Sequence, residues 1–598
     1  MDEKILDWVV LAEKFSASGD PKSMRTAAQE IFELDKNSAD GLAITAEAAF
    51  YLGNTDEAES LAQFALSVEQ NHLRGKLVMG GVAAKNFKLK TQLKFLQEVI
   101  DTAHEELKNL HAEFNNRNRQ LKFTRRQKTP EDEANKKLLE KKIFITQSLL
   151  FKALCWISNG FYLAGEPARA AESLLEASTL TNNNEQAAEL YSKHLFLKNY
   201  RDEPPTQAKV AARHYNSFFA RVAPFTHAKK IFETERKIHI GYISPDFREH
   251  AVANFLTPFL KNYDAENFSV TCYFTGKKDF VTEKLKALPV GWRDLIGKNP
   301  LTIAQIIDQD DVDILVDLSG HSQDNCLPVL AHKPAPVQIC ALGYTASTGL
   351  NAVDYFLSDK ICSQEKSQTN NFTEKILQLD PCCLCYAPGL IREMPAPELR
   401  APVLKNGFVT FGCFNNFAKV SEDVLYVWRA ILESVTSSRL ILKGKIFSVE
   451  DGREIVKEKL RKMCFPLDRI EMRPYSPDYL EQYREIDIAL DTFPYTGGTT
   501  TCEALYMGVP VITVRGKTHG SRIGASILNA ADVKELIANS PMDYVKKAIQ
   551  LTKRKELIVA YHVSLREHMK NSALMNAEKY TRELEKIYRS IIDSNVKF

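Results

Sequence analysis

The chain has 598 residues, 44% of them hydrophobic, which is too much for one core and predicts about three domains. Lys plus Arg at 78 against Asp plus Glu at 76 leaves a net charge of +2, so no global field recruits nucleic acid or an anionic membrane. The acidic start MDEKILDWVVLAEKF lacks a signal pattern, and no apolar run is long enough to span a bilayer. A soluble, cytoplasmic protein is expected.

Residues 1–200 are helical in pattern and rich in alanine. Gly19, Met24 and Ile31 recur as Gly53, Ala58 and Ala65 at a shift of 34 residues, and the spacing returns in Gly165, Ala170 and Ala177. A period of this length, with small or apolar residues five and twelve positions after a glycine, resembles the tetratricopeptide helix pair. A degenerate copy is expected around Leu93 to Ile100. Near 105–145 a charged stretch breaks the period, with Arg117, Arg119, Lys122, Arg125, Arg126 and Lys128 ahead of the acidic Glu131 to Glu133. A nucleic-acid arm is one reading. Mixed charge and sparse aromatics favour a solvated helical insertion. Residues 201–235, with Pro204 and Pro205, form a linker.

From 236 the pattern changes to β-branched runs alternating with helix-length segments. KIHIGYIS, FSVTCYF, VDILVDLSG and VQICALGY precede the proline-rich passage EMPAPELRAPVLKNG near 400, and GFVTFGCF, RLILKGK, RIEMRPY, DIALDTF and VPVITVRG follow it. These predict two doubly wound parallel sheets, in domains 236–400 and 401–598, with a ligand between them. Polar residues collect where such sheets bind ligands, just past the strand ends. Ser244, Asp246 and His250 follow the first strand, Gly320 and His321 follow VDILVDLS, and Gly343 and Tyr344 follow QICAL. In the second set Asn415, Asn416 and Lys419, then Lys443, then Tyr475 and Ser476 hold these places. A single histidine there is ordinarily structural, whereas two at equivalent strand ends point to a site.

Residues 487–514, DIALDTFPYTGGTTTCEALYMGVPVITV, read as strand, glycine loop, helix start, helix and strand. Gly497 and Gly498 permit close approach of a backbone, and Thr499, Thr500 and Thr501 open a helix whose free N–H groups suit a pyrophosphate. An ordinary threonine-capped helix is the plainer alternative. The motif is neither a P-loop nor GxGxxG. Glu503 would repel phosphate and is assigned to neutral hydroxyls such as those of a ribose. Lys419, just before the Ser421-Glu422-Asp423 cap, can stabilise a departing diphosphate without a metal. Eleven cysteines, an odd count, predict reduced thiols. Cys382, Cys383 and Cys385 lack a second ligand pair at zinc spacing, and Asp311, Asp313 and Asp317 alternate along a strand and its approach, so no metal site is expected.

The blocks IHIGYISPDFREHAVANFLTPFL, DLSGHSQDN, KPAPVQICALGYTASTGLNAVDYFLSD, FGCFNNFAKVS, RLILKGK and DIALDTFPYTGGTTTCEALYMGVPVIT resemble, in order, the signature blocks of the SPINDLY-type and O-GlcNAc transferase family of glycosyltransferases. The likeness covers about 236–590, and the repeats are also what that family carries. It implies tetratricopeptide-like repeats followed by a GT-B catalytic region of two Rossmann-like domains, the second on the nucleotide-sugar side. It further implies inverting, metal-independent transfer of GlcNAc from UDP-GlcNAc to Ser or Thr of a protein acceptor, such as a surface or flagellar protein, with no cofactor beyond the donor. By motif, His250 falls at the active-site histidine, His321 at the histidine of the DLSGH block and Lys419 at the lysine on the donor diphosphate. Gln338, Asn415 and Asn416 would line the donor site, Gly498 and Thr499 to Thr501 would hold phosphate, Glu503 the ribose, and Tyr475 belongs to the loop that reads the uracil. Thr345-Ala346 stands where many relatives have Pro-Gly, and Tyr479 where animal enzymes set a histidine against the base. UDP-glucose, with an Asn or Ser/Thr acceptor, and GDP-fucose are alternative donors. A peptide-binding repeat scaffold with an inactive GT-B portion is the alternative of another class; UDP-dependent thermal stabilisation separates them.

Overall fold

A computed structural model describes residues 3–123, 129–227, 236–363 and 371–596. Arg125, Arg126 and Lys128 of the charged stretch, the side chain of Lys122, and linker residues 228–235 lie outside the described residues. The chain divides into two compact units, Met1–His194 with Val449–Val456, and Leu195–Ser448 with Lys457–Phe598.

The first unit is built from helix pairs: α1 (Glu3–Ala17) with α2 (Pro21–Leu34), α3 (Ala39–Tyr51) with α4 (Thr55–Val68), α5 (Leu73–Lys85) with α6 (Leu89–Phe123), and α7 (Pro130–Leu163) with α8 (Pro167–Leu180). Gly19, Gly53 and Gly165 occupy the turns within three of these pairs with φ of 71°, 85° and 76°, a left-handed backbone that glycine adopts at no steric cost. Met24, Ile31, Ala58, Ala65, Ala170 and Ala177 are each fully buried on the second helix of their pair. The α5–α6 turn shows why the fourth copy is degenerate: Phe87, with φ 56°, takes the glycine's place, and the buried Gln92 and Val99 follow it at the same spacing. The charged stretch is helical where it is described. It lengthens α6 and α7 to 35 and 34 residues against 13–15 in α1 to α5. At the centre of the unit Glu13 and Glu47 are both paired with Arg74 and with Lys152, whose Nζ lies 2.9 and 2.6 Å from them. Two buried charges of each sign thereby cancel.

The second unit holds two parallel sheets. The first runs β3-β2-β1-β4-β5-β6-β7, where β1 is Ile238–Ser244, β2 Phe268–Phe274, β3 Gly291–Asp294, β4 Ile314–Asp317, β5 Val337–Cys340, β6 Tyr355–Asp359 and β7 Lys375–Leu379. The second runs β10-β9-β8-β11-β12-β13, where β8 is Thr410–Cys413, β9 Arg439–Lys443, β10 Ile470–Arg473, β11 Ile488–Leu490, β12 Val511–Val514 and β13 Ile537–Ala538. Strand order reverses beside β1 in one sheet and beside β8 in the other, each facing its next neighbour β4 or β11. Such a switch point leaves a crevice at the carboxyl ends of the strands, because successive connections depart in opposite directions. The register Ile238↔Phe268 to Ser244↔Phe274 aligns the ends of β1 and β2. The last helix, Ala577–Val596, returns to the first sheet: Tyr580, Leu584, Tyr588 and Ile592 join the core of Ile240, Tyr242 and Phe259, and the Tyr588 and Tyr242 hydroxyls lie 2.9 Å apart. The final helix thus buries its apolar stripe against the first sheet's lobe.

Candidate active site

Beyond β11 the chain forms the glycine loop and then the helix Thr499–Tyr506. Asp491 organises the loop. Its Oδ1 accepts from the amides of Gly497 (2.8 Å) and Thr492 (2.9 Å) and from Asn415 Nδ2 (3.2 Å), while Oδ2 accepts from the Thr513 hydroxyl (2.7 Å). Gly497 is glycine of necessity: a Cβ there would lie 2.4 Å from Thr501 Oγ1. A Cβ on Gly498 would meet nothing within 4 Å. As the helix N-cap, Gly498 has no side chain to take up the first-turn amides, and the buried hydroxyl of Thr499 has no protein partner. Unsatisfied donors at a helix start, with the positive end of the dipole behind them, fit an anion such as a diphosphate.

Lys419 ends a short 3-10 turn beyond β8. Its Nζ donates to the Thr496 carbonyl (3.0 Å) and sits 4.4 Å from the centroid of the Tyr495 ring, next to the glycine loop. Burial pulls its pKa down from the usual 10.5 to about 8, against the upward pull of Asp491. Glu503, one turn into the helix, is buried and accepts from the Tyr479 hydroxyl at 2.5 Å. Desolvation raises its carboxyl to about 7, with Tyr479 and Arg392 opposing.

From the first sheet, the turn after β1 delivers His250 as the N-cap of the helix Ala251–Asn262. The ring Nδ1 lies 3.4 Å from the Val252 amide and 3.5 Å from Asp246 Oδ2. Burial lowers its pKa below the usual 6.5, with Asp246 opposing. His250, Glu249 and Asn254 line one wall of a cleft of about 460 Å³ whose other walls include Arg392, Lys443, Lys445, Tyr475, Tyr479, Thr499, Thr500 and Glu503. That volume lies within the range of small-ligand sites.

Of the residues expected from sequence, the cleft brings together His250, Tyr475, Thr499, Thr500 and Glu503, with Gly498 at the helix cap. Asn415 and Thr501 stand behind the loop, tied to Asp491 and packed against Gly497. Asn416 is exposed and caps the Lys419 turn through Ala418 N (3.1 Å). Two more of the expected residues lie outside the cleft lining. His321 is 1% exposed, bonded through Nε2 to the Thr348 carbonyl (2.8 Å) and packed edge-on against Tyr215 and Tyr344. Burial takes its pKa down to about 4, and it does not line the cleft. Gln338 lies within β5, fully buried, donating to the Leu330 (3.0 Å) and Ala352 (2.8 Å) carbonyls. It braces the loops beside β5. Asp491 and Arg392 were not singled out from sequence. The former had one signal, an Asp at a strand end directly before the loop; the latter directly precedes the passage read only as a boundary.

Asp359, Cys382 and Cys383 present ligand atoms within 4.8 Å of one another. The Asp359 oxygens are already engaged by the amides of Ile361 (2.9 Å), Cys362 (2.8 Å) and Cys383 (3.0 Å) and by the Ser526 hydroxyl (2.7 Å). Burial pushes the Cys382 thiol well above its usual range, and the hydrogen bond with Cys362, with burial adding to it, does the same for Cys383. The cluster reads as a loop anchor.

Two Rossmann-ordered sheets whose strand-end crevices share a cleft define the GT-B class of fold. The chain belongs to glycosyl transferase family 41, whose family model matches residues 189–383 and 400–584. The probable UDP-N-acetylglucosamine–peptide N-acetylglucosaminyltransferase SPINDLY of Solanum lycopersicum is 39% identical over 365 residues, 60% of this chain and 39% of that protein. The protein of the same name from Arabidopsis thaliana is 36% identical over 390 residues, 64% of this chain and 42% of its own length. This chain thus spans about two fifths of these curated relatives. A mutant of the Thermobaculum terrenum O-GlcNAc transferase matches in structure with a TM-score of 0.68 at 23% identity, covering 100% of this chain and 98% of that one, which shows a common fold of helical repeats and GT-B lobes. Among the described residues no helix is long and apolar enough to cross a membrane.

Proposed function

We propose that this protein is an inverting, metal-independent glycosyltransferase that moves GlcNAc from UDP-GlcNAc to Ser or Thr of protein acceptors. The observation that carries the reading is the pairing, across one cleft, of an uncapped helix start bearing the Thr499 hydroxyl with the His250 ring. The names of the SPINDLY relatives and of the Thermobaculum protein agree with this chemistry, and helical repeats are suited to holding a peptide.

In the proposed step the acceptor Oγ attacks the anomeric carbon as the bond to the diphosphate oxygen breaks, and UDP leaves with the electron pair. The Thr499 helix start, with the ammonium of Lys419 behind it, stabilises the charge that develops on UDP, which is the role a metal fills in other transferases. Glu249 and Glu503 are both engaged by protein donors, Arg392 and Tyr479, so the cleft carboxylates do not converge on a cation. Glu503 turns from Tyr479 to the ribose hydroxyls when the donor binds. His250 is assigned to the acceptor hydroxyl. Its proton passes to the ring or to a donor phosphate oxygen, and only the first route gives turnover an acid limb that disappears in His250→Ala.

Intact-protein mass spectrometry of acceptors co-expressed with the wild type and with Lys419→Ala tests the function. A hexosamine addition lost in the variant supports it. A hexose or deoxyhexose addition moves the donor to UDP-glucose or GDP-fucose, and no addition with no UDP binding refutes it.

A further inference from the structure

Arg392 lies in the irregular, proline-rich passage between the two sheets, a stretch with neither helix nor strand. Its guanidinium makes contacts to both walls of the cleft. Nη2 donates to Glu249 Oε1 at 2.6 Å, Nη1 donates to the Pro477 carbonyl at 2.9 Å, and the guanidinium carbon stands 5.0 Å from the centroid of the Tyr479 ring. Glu249 is itself fixed, since its amide donates to Asp279 Oδ2 at 2.7 Å, and it directly precedes His250. Pro477 sits between Tyr475 and Tyr479, two of the rings lining the cleft. Elsewhere the loop is tied down by the Tyr475 amide on Ser448 Oγ (3.3 Å) and by Lys443, whose Nζ donates to the Pro474 carbonyl (2.7 Å) and Ser476 Oγ (2.8 Å). All of these ties belong to the second sheet's lobe. Arg392 adds a tie to the first.

We propose that Arg392 is a positioning residue that fastens the 475–479 loop to the His250 turn, so that the nucleotide half and the acceptor half of the cleft are held at one spacing. The side-chain chemistry explains the choice of residue. Only a planar fork can donate in two directions while presenting its face to an aromatic ring; an ammonium also donates in more than one direction but has no face to stack. The attachment point explains the consequence. A loop released from Glu249 keeps its bonds to Ser448 and Lys443 but loses its reference to His250. The inference rests on the glycosyltransferase reading for what the loop contacts, though not for the tie itself.

The test uses the full chain with Arg392→Ala, Arg392→Lys and, as an independent cut of the same tie, Glu249→Gln. Hydrogen exchange of the ligand-free protein is followed at 475–480 and 249–252, and affinity is measured for both UMP and UDP. Arg392→Ala is expected to raise exchange at 475–480 with melting close to wild type. It should weaken UMP and UDP by the same factor of about ten, the loss of one good contact, because the loop meets the base and not the diphosphate. Arg392→Lys should fall between, and Glu249→Gln should reproduce the exchange change at 475–480. Unchanged exchange in Arg392→Ala overturns the tie. Raised exchange with unchanged UMP and UDP affinity overturns the positioning role. Wild-type protein that binds neither nucleotide refutes the glycosyltransferase reading and the nucleotide role together, and the exchange arm alone then decides whether Arg392 joins the two walls.

Discussion

Lys419→Met is expected to stabilise the ligand-free protein while abolishing its stabilisation by UDP. The lysine's pKa falls from 10.5 to about 8 because the folded state desolvates the ammonium more than Asp491 and the Thr496 carbonyl compensate. Each pKa unit corresponds to about 1.4 kcal/mol, so keeping the charge at pH 7 costs on the order of 3 kcal/mol. Methionine has nearly the same shape without the charge, but it forfeits the hydrogen bond to Thr496, worth about 1 kcal/mol. The net gain is about 2 kcal/mol, or a melting rise of several degrees for a lobe of this size. The pH dependence follows from linkage: between pH 8 and 10.5 the unfolded chain holds a proton on this residue that the folded chain has lost, so wild-type stability rises across that window. The advantage of the variant is therefore full below pH 8 and fades toward 10.5. Differential scanning fluorimetry at pH 7 and pH 10, with and without UDP, reads all of this. A variant that melts below wild type at pH 7, or one that UDP still stabilises, refutes the reasoning.

Gly497→Ala and Gly498→Ala should separate packing from ligand contact in calorimetric titrations with UDP. The first drives a Cβ to within 2.4 Å of Thr501 Oγ1 and should lower both melting temperature and affinity, whereas the second meets no protein atom, so any loss of affinity there locates the phosphate. In the helical unit Glu47→Gln leaves Arg74 and Lys152 facing Glu13 alone, and breaking a buried network in this way costs about 3–5 kcal/mol by chemical denaturation. Glu47 is held near 2 against the usual 4.5, chiefly by Lys152 and Arg74 overcoming its desolvation, so its contribution is present above pH 4.5 and lost as pH falls toward 2. Phe87→Gly should stabilise the same unit by roughly 0.5–1 kcal/mol, since Phe87 has φ 56° and is 72% exposed, and glycine removes the left-handed strain at the expense of some chain entropy. A decrease in denaturation midpoint would show that the ring, rather than the turn, matters there.

What the sequence disclosed follows from how local each determinant is. The repeats were legible because a left-handed turn selects glycine and a tight helix contact selects alanine, both choices visible at a fixed spacing. The copy at Phe87 was blurred because the structure tolerates strain at one turn. Both sheets were legible as apolar runs, and the turn into the helix Thr499–Tyr506 as two glycines before three threonines. His321 and Gln338 lie outside the cleft lining for a different reason. Strand-end position says that a side chain is near a crevice, but Tyr215, far away in the chain, closes over His321, and the carbonyls of Leu330 and Ala352 claim Gln338. Arg392 carries no local signature at all, since its partners Glu249 and Pro477 lie 143 residues before it and 85 after it.

Polar groups in the cleft and beside it are satisfied in pairs: Glu503 with Tyr479 and Arg392 with Glu249 on the cleft walls, and Lys419 with Thr496 at the glycine loop. A donor that replaces one partner in such a pair exchanges one hydrogen bond for another, so affinity must come from charge rather than from bond count. Charge here depends on two groups displaced toward neutrality from opposite sides. Glu503, raised to about 7, is protonated below that pH and becomes a full acceptor for ribose hydroxyls only above it. Lys419, lowered to about 8, is an ammonium only below that pH. His250, lowered from the usual 6.5, contributes no charge in the window between them. Affinity for a UDP-sugar, whose diphosphate does not itself titrate here, should rise through pH 7, peak between 7 and 8 and fall above 8. Glu503→Gln should remove the acid limb alone. Binding that stays level from pH 6 to 9 would mean that neither residue reaches the donor, and the diphosphate would then rest on the Thr499 helix start by itself.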